Sequence, residues 1–483
     1  MEGLGPLDER SIKHMSKRLL KLLGMLLAIV MVAAACGSTV AEVTDTVEEV
    51  VDEAEEAAEG DEEEEAMEDE EEEEAMEDEE EEAMEDEEEE EAEEAPAGAT
   101  GGDDGTLNIG TIFPVTGDLA FLGPAEVSGA ELAIQDINAA GGVFGNDVVI
   151  NQGDSGDTTT DTASVEVDRL LAEGADAIIG AASSAVSFTV IDRITSAGVI
   201  QFSPANTSPD FTTFDDGGLY FRTAPSDLLQ GRVLANQILE EGNATASVIF
   251  RQESYGTGLA DAFRANFEDA GGIIDEFLPY AVDVESFDAE VDSLVSAGSD
   301  AILVIGFDES ANIVTAMNER GIGPTSDVNV WGVDGNVNLQ ALLEEPAILE
   351  GFRQTQPSVD LNSISDFIDR LVAEMGDEEA ATAFGAETYD AVIITALAAV
   401  AAGEDGGAAI AAQINDVTRE GTQCTSFAEC NDLLAAGEDI DYDGIGGPYE
   451  FVDAGEPAAA SYLIDTYGVD GADPALAEFV FAS

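Results

Sequence analysis

Histidine and lysine are almost missing from this chain: the only histidine is His14 and the last lysine is Lys21, in a sequence of 483 residues. Beyond Lys21 no Ser-His-Asp triad, Cys-His pair, Schiff-base lysine, P-loop lysine or His-ligated zinc can be assembled. Most familiar enzyme chemistry is closed to such a chain, and only carboxylate acid/base work stays open. Positive charge is scarce as well. After residue 95 there are ten arginines against 67 acidic residues, a net of −57. That surface repels nucleic acid and anionic headgroups. It also repels itself in dilute buffer until salt screens it, which points to a salt-loving source. Cysteine is limited to Cys36, Cys424 and Cys430.

The apolar run near the N-terminus is too short to span a bilayer comfortably. Lys13, Lys17, Arg18 and Lys21 precede LLGMLLAIVMV, and small residues Ala33 to Ala35 follow, the layout of a secretory signal over residues 1–35. Small residues leading into Cys36 resemble the lipobox of bacterial lipoproteins, whose cysteine is acylated and becomes the mature N-terminus; the alternative is an ordinary signal with Cys36 incidental. Residues 36–105 then form a tether. From Ala41 to Ala95 the chain is nearly all Glu, Asp, Ala, Val and Met, and AMED recurs at Ala66, Ala75 and Ala83. Such a composition builds no core, and like charges at i,i+4 oppose the helix that glutamate favours. Fully extended, residues 37–95 reach about 200 Å. This is a leash from a lipid to a folded domain, with a metal-binding acidic tail as the rival reading.

Residues 106–483 carry the folded part. Strand-like runs LNIGTIF (107–113), DVVINQ (147–152), ADAIIG (175–180), GVIQFS (198–203), ASVIF (246–250), DAILVIG (300–306) and VNVWG (328–332) alternate with helical patterns. One such pattern is Glu126 to Ala140, with Val127, Ala130, Ile134 and Ile137 on one face. The alternation predicts an α/β fold with parallel sheets, whose ligands sit beyond the carboxyl ends of the strands, where helix N-termini offer free N–H groups. Ser183 and Ser184 follow one such end and Thr207 another. They are N-caps taken singly and an anion site taken together.

The segments IGTIFPVTGDLAFLGPAEVSGAELAIQDINAAGGVFG, AIIGAASSA, FSPANTSPDFT, YFRTAPSDLLQG, ESYGTGLADAF and WGVDG resemble the leucine/isoleucine/valine-type amino-acid-binding proteins, substrate-binding lipoproteins of ABC importers with the type 1 periplasmic binding fold. The resemblance runs from about Leu107 to Tyr467. It implies two Rossmann-like lobes joined by crossover strands, lobe 1 at about 106–225 and lobe 2 at about 226–355, each with later segments. It further implies that Ser184, Ala205 and Thr207 hold a ligand carboxylate, that Tyr255 covers it, and that Asp334 receives the ammonium group near Phe307. Leu122 would line the side-chain pocket. No enzyme activity, cofactor or metal is implied. The implied partners are an amino acid, ABC permease subunits and the membrane through the N-terminal lipid, outside the cytoplasm. The same fold also serves amides, urea or aromatic acids, and ligand sensors that report to a membrane signalling partner. For Asp334 the competing reading is a solvated loop acid.

Export makes a Cys424–Cys430 disulfide the expectation. DIDYDGIGGPYE, residues 439–450, matches EF-hand spacing, but Pro448 and the strand-like YEF after it predict a structural turn instead. The anchor is tested most directly at Cys36. Cys36→Ser is expected to release the exported protein from the membrane fraction, read by fractionation and immunoblot; retention at wild-type level contradicts it.

Overall fold

The computed structural model describes residues 104–483 apart from 285, 378, 379, 470 and 474. The signal-like segment, Cys36 and the acidic tether lie outside the described residues. Strands β1 (Asn108–Phe113), β2 (Val149–Asp154), β3 (Ala177–Gly180), β4 (Ile200–Ser203) and β5 (Tyr220–Arg222) form one sheet in the order β2-β1-β3-β4-β5. All its pairs are parallel. Strands β6 (Thr245–Arg251), β7 (Ile273–Tyr280), β8 (Ala301–Ile305), β9 (Asn329–Gly332) and β10 (Arg353–Pro357) form the parallel part of a second sheet. The antiparallel strands Ala460–Gly468 and Glu478–Ala482 extend it beyond β10. Covered on both faces by helices, β3, β4 and β8 are buried at every residue, which is why β3 and β8 read as unbroken apolar runs.

Each sheet anchors a lobe, and the chain passes between them near 223–227, 357–365 and 449–460. The core of the first lobe is completed by helix Gly385–Ala402, which returns from the far end of the sequence. It is apolar on nearly all sides and long enough to cross a membrane by length and composition, yet 78% buried within the fold, as a central core helix must be. Gly129 lets it pack against helix Gly123–Ala139, since a Cβ there would stand 2.3 Å from the Gly385 carbonyl oxygen. Residues 439–450 follow helix Phe427–Ala436 but lead into no second helix among the described residues. Ile440–Gly444 and Gly447–Pro448 are paired strands. Tyr442 and Tyr449 donate their hydroxyls to Asp390 of the central helix, both at 2.7 Å. Nearby, a disulfide joins Cys424 to Cys430, with Cα atoms 5.4 Å apart.

Arg222, at the end of β5, is fully buried against Glu456 and donates from Nε to its Oε2 at 2.9 Å. The same guanidinium donates to the carbonyls of Ser208 (2.8 Å) and Asn206 (3.2 Å), pinning the turn after β4. Removing one partner of a buried pair leaves the other charge uncompensated, so Arg222→Met is expected to cost about 3–5 kcal/mol in urea unfolding. A loss below 1 kcal/mol would contradict this bookkeeping.

Asp176, just before β3, accepts from the Asn108 N–H at 2.9 Å and is otherwise buried. Burial, with Asp405 and Asp104 nearby, pushes its carboxyl up to about 7. The folded protein therefore keeps a proton that the unfolded chain releases near pH 4, and stability falls as pH rises from about 4 to about 7. Asp176→Asn is expected to flatten that part of the Tm profile and to raise Tm at pH 8 relative to wild type; an unchanged slope contradicts it.

Candidate functional site

The carboxyl ends of both parallel sheets face one narrow cavity, with about 20 Å3 of free volume between its walls. Every residue expected at a ligand site lines it: Leu122, Ser184, Ala205, Thr207, Tyr255, Phe307 and Asp334. The geometry follows from the strand ends. The turn after β1 supplies Leu119 and Leu122, that after β3 Ser183 and Ser184, and that after β4 Ala205 and Thr207. Tyr255 follows β6, Phe307 follows β8, and Asp334 follows β9.

On the first-lobe wall, Ser183 is a true N-cap whose hydroxyl accepts from the Val186 N–H at 3.4 Å. Ser184, one residue on and buried, accepts from the Ser208 N–H at 3.4 Å. The first-turn N–H groups of this helix have no intrahelical acceptor, so the wall is rich in donors. The Ala205 N–H is turned to the Ser203 hydroxyl at 3.2 Å. Thr207 is buried, and its hydroxyl makes no bond of ordinary geometry although it lies beside the Asp227 carboxyl.

The second-lobe wall is built around an acid. Asp334 is only 5% exposed, so it is no solvated loop residue. Its Oδ1 accepts from the Tyr255 hydroxyl at 2.9 Å and from Gln230 Nε2 at 3.0 Å. Gln230 is itself fixed by donating to the Thr355 hydroxyl at 3.0 Å. Burial raises the Asp334 carboxyl, while these bonds and the backbone N–H groups of Asp334 and Gly335 oppose the rise. Asp227, one turn before Gln230, has both oxygens unpaired at 0% exposure. Burial first, then the Asp334 charge, push it well above the usual carboxylate range. Both carboxyls are raised by burial, and the donors that favour the charged form reach Asp334 and not Asp227. Gly335 allows the close turn: a Cβ there would stand 2.4 Å from the Gly306 carbonyl oxygen. Tyr255 and Phe307 stack with centroids 5.4 Å apart and planes 12° apart.

Four further participants were not among the expected residues. Leu119 and Phe384 add apolar wall, Gln230 positions Asp334, and Arg251 lies with its guanidinium 4.8 Å from the Phe307 ring centre. Phe384 precedes the central helix with a φ of 61°, and in sequence it is simply an apolar residue before a helix. Gln230 offers one cue, its place one helical turn after Asp227.

The periplasmic binding protein family matches residues 106–464. A Leu/Ile/Val-binding protein homolog of Brucella melitensis is 28% identical over 350 residues, covering 69% of this chain and 90% of the relative. BasB, a substrate-binding protein of a chemotactic signal transduction system in Halobacterium salinarum, is 26% identical over 375 residues, covering 74% and 86%. In structure, the chain is similar to the branched-chain amino acid transporter substrate-binding protein LivJ of Streptococcus pneumoniae in complex with isoleucine. That likeness has a TM-score of 0.65 at 24% identity and covers 78% of this chain and 99% of the other. With two parallel α/β lobes facing one polar-and-apolar cavity, and a family match over most of its length, the chain belongs to the periplasmic binding proteins, type 1 fold.

Proposed function

We propose that the chain is a lipid-anchored receptor that captures a small aliphatic L-amino acid between its lobes and delivers it to an ABC importer. The observation that carries this reading is Asp334, a buried acid with free donors on the opposite wall of the same cavity. A zwitterion entering a closed cleft loses water from both charged groups, and each must gain a partner. Ser184, Thr207 and the helix-end N–H groups serve the carboxylate. Asp334 serves the ammonium. Leu119, Leu122 and Phe384 leave an apolar space for the side chain. Arg251 is already paired with Asp118 and Glu309, so it offers no net charge to an acidic side chain.

The family consists of solute-binding proteins rather than enzymes and works outside the cytoplasm. A second reading, a ligand sensor for a membrane signalling partner, is favoured by the similarity to the chemotactic protein BasB. Both readings use the same cleft and differ in the partner it reports to.

A thermal-shift screen of amino acids and amides at high salt identifies the ligand, because binding only the native state raises Tm. Calorimetry then tests the clamp. Asp334→Asn keeps shape and removes charge, and an aliphatic amino acid is expected to lose about 2–5 kcal/mol of binding free energy, the range for truncating one partner of a buried charged pair. A neutral amide should lose far less. Equal binding of the amino acid by both proteins removes Asp334 from the site.

A further inference from the structure

The mouth of the cleft is acidic on both sides. Asp118 and Asp157 belong to the first lobe and Glu253 to the second, and of the residues lining the pocket that adjoins the ligand cavity Arg251 is the one cation. Arg251 ends β6 and is 3% exposed. Its guanidinium donates to Glu309 of its own lobe at 3.0 Å, and through a second nitrogen to Asp118 of the other lobe. It also lies over Phe307, which stacks on Tyr255, whose hydroxyl bonds Asp334. A continuous line of contacts therefore runs from the rim to the acid at the centre of the site.

We propose that the Asp118–Arg251 pair positions the binding site, holding Phe307 and Tyr255 in place through a bridge that exists only when the lobes are closed. Within its own lobe Arg251 has Glu309, so folding of that lobe does not require Asp118. Closure brings the acidic rims together, and without a cation between them they repel. Arg251 turns that repulsion into attraction beside Phe307, which lines both the rim pocket and the ligand cavity. The pair favours the closed form with or without ligand, and a bound ligand leaves only through the open form, so its effect on binding falls on escape rather than on encounter. Asp118 keeps about a third of its side chain exposed, which makes the bridge sensitive to salt. This rests on the amino-acid reading of the cleft, but only for the choice of probe.

The test uses Asp118→Asn and Asp118→Glu in the full chain, with L-leucine as probe in stopped-flow binding. Asp118→Asn is expected to raise the dissociation rate about tenfold, leave the association rate within twofold and leave the Tm of the free protein unchanged. Asp118→Glu should restore the slow dissociation. In parallel, spin labels at the exposed positions Val165 and Val295, one on each lobe, in a Cys36→Ser background, report lobe closure without any ligand. Asp118→Asn is expected to shift their distance distribution to longer separations. Failure of wild type to bind L-leucine counts against the amino-acid reading alone, and the label distances then decide the proposal. Superimposable distributions in wild type and Asp118→Asn overturn it, as does an affinity loss that comes from slower association or from a matching fall in free-protein Tm.

Discussion

Asp334 sets the terms for the rest of the site. It is 5% exposed, its carboxylate accepts from an amide and a hydroxyl, and no ion pair with an arginine accompanies it among the described residues. Neutral donors favour the charged form of a buried carboxyl but leave that charge without a counter-ion. Two other features follow from that. Asp227, the acid beside it, is held well above the usual carboxylate range, by burial first and then by the Asp334 charge, since two uncompensated charges in one interior are costly. The wall across the cavity can be made of donors alone, because the positive partner of Asp334 arrives with the ligand.

The ten arginines after residue 95 are correspondingly important. In a fold with such an acidic surface, two of them are drawn inside to places where lobes or turns must be held. Arg222 fastens the turn carrying Asn206, Thr207 and Ser208 to the first sheet, and Arg251 meets acids of both lobes at the cleft mouth. Most of the other ion pairs are at least partly exposed, such as Arg169 with Glu166 and Glu173. Those contribute little one by one, and their main effect is to reduce repulsion locally.

Much of this architecture is legible in the sequence for a physical reason. Strands β3 and β8 are buried on both faces, so their sequences AIIG and AILVI stand out as apolar runs. By contrast β10, RQTQP, is largely polar where it follows the crossover region, and no apolar pattern announces it. The same contrast holds in the site. Ser184, Thr207 and Asp334 follow recognisable strand ends, so the rule that ligands gather there, together with the family resemblance, brings them forward. Phe384 lies far along the chain from the other lining residues and joins them only because the central helix returns to the first lobe. The burial of Asp334 could not be read either: with acids throughout the chain, only tertiary packing separates a solvated one from a binding one.

The central claim is that the ligand's own ammonium group balances Asp334. Calorimetry comparing L-leucine with 4-methylpentanoate, the same carbon skeleton without the amino group, tests it on the unaltered protein. The account predicts that the deamino compound binds at least about a hundredfold more weakly, a difference of about 2.7 kcal/mol. Equal affinities for the two compounds would contradict it.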